Sequence, residues 1–552
     1  MTGDRPPRTP ATDAPAAGPA AVGPAAMGLV AVVATAAALL GIGVRARFGG
    51  HVAVDEPQYL LTALSIFEDF DLDITDELDE RRWAPWAGTA ALPVQTEVLA
   101  DGTQISPHDP LLPIVLAVPM GLGGWVAAKA AMALMAGALA ALTLWTAVRR
   151  FAVPRRLATG GVILASASAP LAVYGQQVYP ELPAALAAVA AVAVLTGPAF
   201  TSVGAASRKD GAGSPSPGRV RRDVAVFGLV ITALPWLSVK YAPVAAVLAL
   251  LGLWRLRAGR RALAALAGGF AVMGAAYLAV HRLVWGGWTV YASGDHFQAS
   301  GEFGVMGFDP DFAGRAVRLV GLMADRGYGL AAWQPAWLLL LPAVGHGLRL
   351  LLSRRPPGRP RDLPGALPSV SPAALPPALP AAFRGAVLLL PLAAGWLTAT
   401  FVALTMNGYW WPGRQTVVVL PLALLLILAF LRDRPRWLHR TGLALGVAGL
   451  VTYAWLLIDG YAVRITWVSG FERVGSPLHQ GLRPLLPDYR AGWDGFWPLH
   501  LTWALVSLLL IVYGTPYLTK GRSHEVDPDP ADHGDPGPGR RADLRPDGLR
   551  RR

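Results

Sequence analysis

Asp55 and Glu56 stand side by side in V-D-E-P-Q-Y-L-L-T-A-L-S-I-F-E-D (54–69), a run that follows the apolar stretch Ala26 to Val44 almost at once. The segment from Arg45 to Asp109 carries thirteen acidic residues. A carboxylate held ionised at the start of a helix can take the proton of an attacking hydroxyl, an effect worth about 10²–10⁴ in rate. His108, Asp109, Glu181, Lys240, Arg326 and Arg414 also fall at the ends of apolar stretches. Acids and cations gathered in this way suit the transfer of a group away from a phosphate.

Composition decides what kind of scaffold must hold these groups. Of 552 residues, 53% are hydrophobic and only 15% are charged, against about 25% charged in soluble domains. The chain therefore reads as an all-α polytopic membrane protein. The absence of cysteine excludes disulfides, thiolate metal sites and cysteine nucleophiles.

Apolar spans are expected near 26–44, 125–148, 157–175, 182–198, 223–238, 241–254, 262–284, 329–348, 385–405, 415–431, 441–458 and 498–517, about twelve helices. Spans five and six are short, and a single long helix over 223–254 is the alternative. The first span is expected to stay in the protein rather than act as a cleaved signal, because about eighteen apolar residues can cross the bilayer.

With both termini in the cytoplasm, 33 of the 48 Lys and Arg fall on the inner side and 14 on the outer, with Lys129 inside a span. The clusters at 149–156, 219–222, 255–261, 354–361 and 432–436 share the inner side, as the positive-inside rule requires. This places a multi-pass protein in a bacterial cytoplasmic membrane with the Asp55-Glu56 loop outside.

Three organisational units are expected: a disordered tail over 1–25, a transmembrane domain over 26–520, and a second disordered tail over 521–552. Pro-rich or Gly-rich linkers are expected at 356–380 and 211–218. The first external loop, 45–124, should hold helices lying along the membrane. One begins at Asp55 as cap, with Pro57 in its first turn and Leu60, Ala63, Leu64 and Phe67 on one stripe. Another covers 109–120, too short and proline-broken to span. The stretch 309–325 reads as an amphipathic surface helix, and 459–497 is aromatic with mixed charge.

Each candidate also has a purely structural reading. Asp55 could only cap its helix, Glu181 could only be a first-turn acid after Pro180, and Lys240 could snorkel. Arg414 could be an aromatic-belt neighbour and His108 an ordinary loop histidine. No P-loop, strand-borne dinucleotide motif, H-E-x-x-H or G-x-S-x-G is present, so nucleotide-dependent chemistry has no support.

Transfer of a sugar from a lipid phosphate needs two things that this set offers. Cations such as Lys240 or Arg414 would stabilise the departing phosphate, and Asp55 would serve as base.

The arrangement resembles the GT-C superfamily of integral membrane glycosyltransferases, which includes protein O-mannosyltransferases and the lipid A aminoarabinose transferase. In that family an acidic motif, often Asp-Glu, opens the first external loop, and its first acid is taken as catalytic. The match is to Asp55-Glu56, with a second-loop acid at Glu181 and a hairpin lysine at Lys240. The resemblance covers most of Ala26 to Leu518 through short motifs.

Together with the reading of the residues it gives catalytic roles to Asp55, Glu56 and Glu181 and donor-phosphate binding to Lys240, to which the charged set at the helix ends adds Arg414, His108 and Arg326. A polyprenyl-phosphate sugar would be the donor, and an envelope glycan, lipid or protein the acceptor, with no nucleic acid partner. No metal ligand set is assigned, and a divalent metal stays open as the one cofactor. A transporter or lipid flippase is the alternative, marked by ionisable groups inside spans, of which Lys129 comes nearest. An envelope-assembly scaffold is a third reading.

Overall fold

The computed structural model describes residues 22–92, 95, 97–99, 101–202, 216–290, 311–353, 379–403, 406, 410–491 and 497–515. Most of both expected tails and of the two linkers lies outside these residues. What is described is helical, apart from two-residue strands at Glu97–Val98 and Gln104–Ile105 that pair antiparallel.

Among the described residues, eight helical stretches are long and apolar enough to cross a membrane: Leu111–Phe151, Val239–Leu256, Arg260–Val284, Pro335–Leu352, Ala381–Val402, Arg414–Leu431, Arg436–Tyr461 and Trp497–Gly514. The remaining expected spans also fall on helices. Pro24–Leu39 and Glu181–Leu195 are apolar but shorter, Arg155–Ser166 is shorter still, and Pro217–Leu237 begins among arginines. Large apolar side chains such as Leu134, Leu229, Val272, Leu283 and Leu509 are exposed on the outer faces, where water would be a costly neighbour and lipid is not. The chain is a multi-pass, all-helical membrane protein.

At its centre is Leu420–Leu431, buried on nearly every side, as expected of a helix that is apolar all round. The Pro24–Leu39 helix packs on Leu111–Phe151. It ends five residues before the expected limit of Val44, where Gly41 and Gly43 lie against Trp467 and Tyr461.

The two-helix reading of 223–254 holds. Ser238 is extended (φ −171°, ψ 135°), and Val239–Tyr241 forms a single tight turn before Ala242–Leu256. Lys240 is thus at a turn between two packed helices.

The first loop differs from its expected form. The Glu56–Glu68 helix is buried on all sides from Glu56 to Ser65, rather than along the single stripe. The Leu111–Phe151 helix covers much of it, and Phe67 sits directly on Gly121, where any side chain would collide. Residues 111–122 are helical and run into the 125–148 span through a kink at Gly123 and Gly124, the latter at φ +61°, a conformation glycine adopts without strain.

The expected amphipathic helix over 309–325 is two short helices in its described part, Phe312–Ala316 and Arg318–Ala324. Arg315 donates to the Phe401 carbonyl and Arg318 to that of Ala403, so this segment is tied to the end of another helix.

Candidate active site

Asp55 occupies the N-cap position of its helix, but its side chain makes no capping hydrogen bond. Its Oδ2 instead accepts from Arg414 at 2.8 Å, across 359 residues of chain. The helix start is closed by the next acid: Glu56 Oε2 accepts from the Ala53 N–H at 2.9 Å. Asp55 was expected to be the cap, and the guanidinium outcompetes the local N–H groups because in that bond both donor and acceptor carry a full charge. Val54, just before it, is held at φ +57°, costly for a β-branched residue.

Glu56 is completely buried. Its Oε1 accepts from the Val178 N–H at 2.9 Å and lies 3.1 Å from Lys129 Nζ. Lys129 also donates to the His51 carbonyl at 2.8 Å and to Gln176 Oε1 at 3.3 Å. A lysine inside an apolar span must find partners of this kind, and that rule could have pointed to the pair. Removing one member leaves the other charged and buried, at a cost of about 3–5 kcal/mol. Lys129→Met is therefore expected to lower stability in detergent by that amount, and adding Glu56→Gln should recover most of the loss. Equal melting temperatures for the single and double variants would refute the pairing.

Glu181 is the first residue of the Glu181–Leu195 helix and is fully buried. Its Oε1 accepts from both Lys240 Nζ (2.6 Å) and Arg414 Nε (2.7 Å), while Oε2 is buried with no hydrogen-bond partner. Asp55, Arg414, Glu181 and Lys240 thus form one chain of alternating charge drawn from four segments. Its inner members are the most buried. The side chains of Arg414 and Glu181 are 6% and 0% exposed, and the two ends, Asp55 and Lys240, are 17% and 15% exposed.

Arg414 is aimed by its surroundings. Gly413, at φ +85°, turns the chain into the Arg414–Val419 helix, a conformation any other residue would strain to adopt. The guanidinium lies 4.0 Å from the Tyr179 ring centre and 5.3 Å from that of Trp410, a stacked position that suits arginine better than lysine. Tyr179 in turn donates to the Ala53 carbonyl at 3.3 Å.

Burial opposes the charge on Asp55, but Arg414, with His108 and Lys240 further off, overcomes this and holds the carboxyl below its ordinary value. A group that stays ionised in this way can act as a base across the neutral range.

The other expected members lie around this chain. His108 stacks on Tyr59 of the Asp55 helix at 4.5 Å between ring centres. Asp109 is a buried hub: its Oδ2 accepts from the Val239 N–H (3.1 Å), beside Lys240, and its Oδ1 accepts from Tyr277 Oη (2.9 Å) and lies 2.9 Å from His281 Nε2. His281 was not foreseen, although a histidine on the inner face of a span end is a signal of the same kind as Lys129.

Arg326 is placed elsewhere. Its backbone N–H donates to the Pro487 carbonyl and its guanidinium to that of Leu486. It lines a cavity of about 610 Å³ with Tyr328, Phe471, His479 and Arg490. Asp325 organises that wall by accepting from the N–H groups of Gly327, Tyr328 and Tyr489.

Among the described residues, one acidic cluster close enough to hold a metal ion lies in the first loop. Carboxylate oxygens of Asp69, Asp76 and Glu77 all lie within 4.8 Å of one another. Burial, with Asp76 and Asp69 adding to it, pushes the Glu77 carboxyl up to about 8. This group was not anticipated, because only packing buries Glu77.

No family model matches the chain, and no curated protein matches it. Two solved structures are similar to it over much of its length. One is ArnT from Cupriavidus metallidurans in the apo state, at 18% identity over 88% of this chain and 73% of that one, with a TM-score of 0.40. The other is ArnT from the same organism bound to undecaprenyl phosphate, at 15% identity over 88% and 76%, with a TM-score of 0.41.

Proposed function

We propose that this protein is a GT-C-type glycosyltransferase that moves a sugar from a polyprenyl-phosphate carrier to an envelope acceptor at the outer face of the cytoplasmic membrane, within a single transmembrane domain over 26–520. The observation that carries this reading is the charge chain Asp55–Arg414–Glu181–Lys240, with an acid at one accessible end and a cation at the other.

Asp55 is the base. Its Oδ2 is held by Arg414, and its Oδ1 takes no hydrogen bond from a described residue. The acceptor hydroxyl gives its proton to this oxygen as its own oxygen bonds to the anomeric carbon. The bond from that carbon to the phosphate oxygen breaks, and the electron pair leaves with the polyprenyl phosphate. Lys240 meets the charge that builds on the phosphate, in a buried setting where such stabilisation is strongest.

Arg414 keeps Asp55 ionised and oriented. Glu181 holds both cations through Oε1. Glu56, with both oxygens engaged, positions the loop. His108, stacked on Tyr59, and Arg326, which lines the cavity of about 610 Å³, are further candidates for binding the donor phosphate. The transporter alternative rests on Lys129, whose partners inside the protein are Glu56, the His51 carbonyl and Gln176.

The test is reconstitution in liposomes with a polyprenyl-phosphate sugar and an envelope extract as acceptor, following release of free polyprenyl phosphate. Transport of a solute with no carrier turnover would overturn the proposal. The pH profile offers a second check. Asp55 sits below the ordinary carboxylate value of about 3.9, so activity should show no carboxylate-dependent loss between pH 7 and 5. A half-maximal rate near pH 6 would argue against Asp55 as the base.

A further inference from the structure

The helix that begins beside Asp55 ends at Glu68, and Asp69 is its C-cap. Residues 68–82 hold eight acids against two arginines. A helix C-terminus carries partial negative charge and disfavours acids, yet the last turn has no basic residue. Arg82 is engaged by Glu68 (2.8 Å) and Glu80 (3.5 Å).

Five of the other six acids, all but Asp79, divide into two groups. Asp71 and Asp73 are satisfied within the loop: Asp71 Oδ1 accepts from Ser65 Oγ and the Asp73 N–H, and Asp73 Oδ1 from Thr75 and the Gln104 N–H. Asp69, Asp76 and Glu77 instead bring carboxylate oxygens to within 4.8 Å of one another. Glu77 is 1% exposed, and neither of its carboxylate oxygens has a hydrogen-bond partner. With nothing to compensate it, burial keeps such a group in its neutral form, and it becomes a carboxylate only where a positive charge is supplied. It is aimed at two further acids, the worst neighbours for it unless a cation lies between them.

We propose that Asp69, Asp76 and Glu77 bind a hard divalent cation of the calcium type in the first external loop. The donors are all oxygen, which suits Ca²⁺ or Mg²⁺ over softer metals. The oxygens lie within 4.8 Å of one another, close enough to share one ion, and three carboxylates around it suit the flexible shell of calcium better than magnesium, which keeps several waters and usually takes one or two carboxylates. Asp69 and Asp76 are exposed, so water completes the shell. The bound ion neutralises the acids at one end of the helix whose other end presents Asp55, and fixes that helix against the Thr75–Asp79 turn.

The full chain in detergent, stripped with chelator, is titrated with ⁴⁵Ca²⁺ by equilibrium dialysis, with Mg²⁺ as competitor. One Ca²⁺ per chain is expected, with affinity at least tenfold weaker in Glu77→Gln and unchanged in Asp55→Asn. Should Glu77→Gln misfold, the surface variant Asp76→Asn must weaken binding by a similar factor. Absence of saturable binding, Mg²⁺ binding at least as tight as Ca²⁺, or binding lost in Asp55→Asn and kept in Glu77→Gln would each overturn the proposal. Because binding is read without sugar transfer, its failure is distinct from failure of the enzymatic reading.

Discussion

Asp55→Asn is expected to lower the rate of sugar transfer by about 10²–10⁴, the usual contribution of a positioned general base, while protein yield and melting temperature change little. Asparagine keeps the shape and can still accept from Arg414 through its amide oxygen, so the local geometry should survive. It cannot take the acceptor's proton. The comparison that matters is with Glu56→Gln, which disturbs a fully buried residue bonded to Ala53, Val178 and Lys129. That variant should lose stability first and activity as a consequence. Carrier release measured per folded molecule separates the two. If Asp55→Asn turns over as fast as the parent while Glu56→Gln is dead and well folded, the roles assigned to the two acids are reversed.

Arg414→Met should have the largest effect on both stability and rate. It leaves Glu181 buried with only Lys240 and leaves Asp55 with no direct partner, in a setting where breaking a buried pair costs about 3–5 kcal/mol. It also removes the cation that holds Asp55 below its ordinary value. Activity that depends on ionised Asp55 is lost as pH falls through its pKa, so a raised pKa moves that loss to higher pH.

Any activity left in Arg414→Met should therefore fall off on the acid side sooner than in the parent protein. Arg414→Lys keeps the charge but cannot donate from Nε and a terminal nitrogen to two carboxylates at once, nor stack in the same way on Tyr179. It should be intermediate in stability and poor in rate. The double variant Arg414→Met with Glu181→Gln should regain stability without regaining transfer. Thermal unfolding in detergent and single-turnover carrier release would show whether these effects part in this way.

Much of the architecture could be read along the chain. Runs of apolar residues about twenty long, and arginine clusters between them, are local patterns, and each of the expected spans falls on a helix. The turn holding Lys240 was legible for the same reason, since Leu-Pro-Trp-Leu-Ser-Val-Lys breaks one apolar run and starts another. The first loop was less so. Its stripe of Leu60, Ala63, Leu64 and Phe67 suggested a half-exposed helix, but burial there depends on the Leu111–Phe151 helix covering it, which no local period encodes.

What the amino-acid order determined alone was the membrane class, the helices, and a short set of acids and cations worth considering. Only the folded chain decided which of two adjacent acids meets Arg414 and which is bound to Lys129, that Arg414 joins Asp55 to Glu181 across 359 and 233 residues, and that Glu77 is buried without a partner. The physical reason is one of range. Helix periodicity and apolar length act over a few turns and can be read in a window. Pairing of charges is set by which segments pack closely enough to exclude water, and that depends on the whole bundle at once.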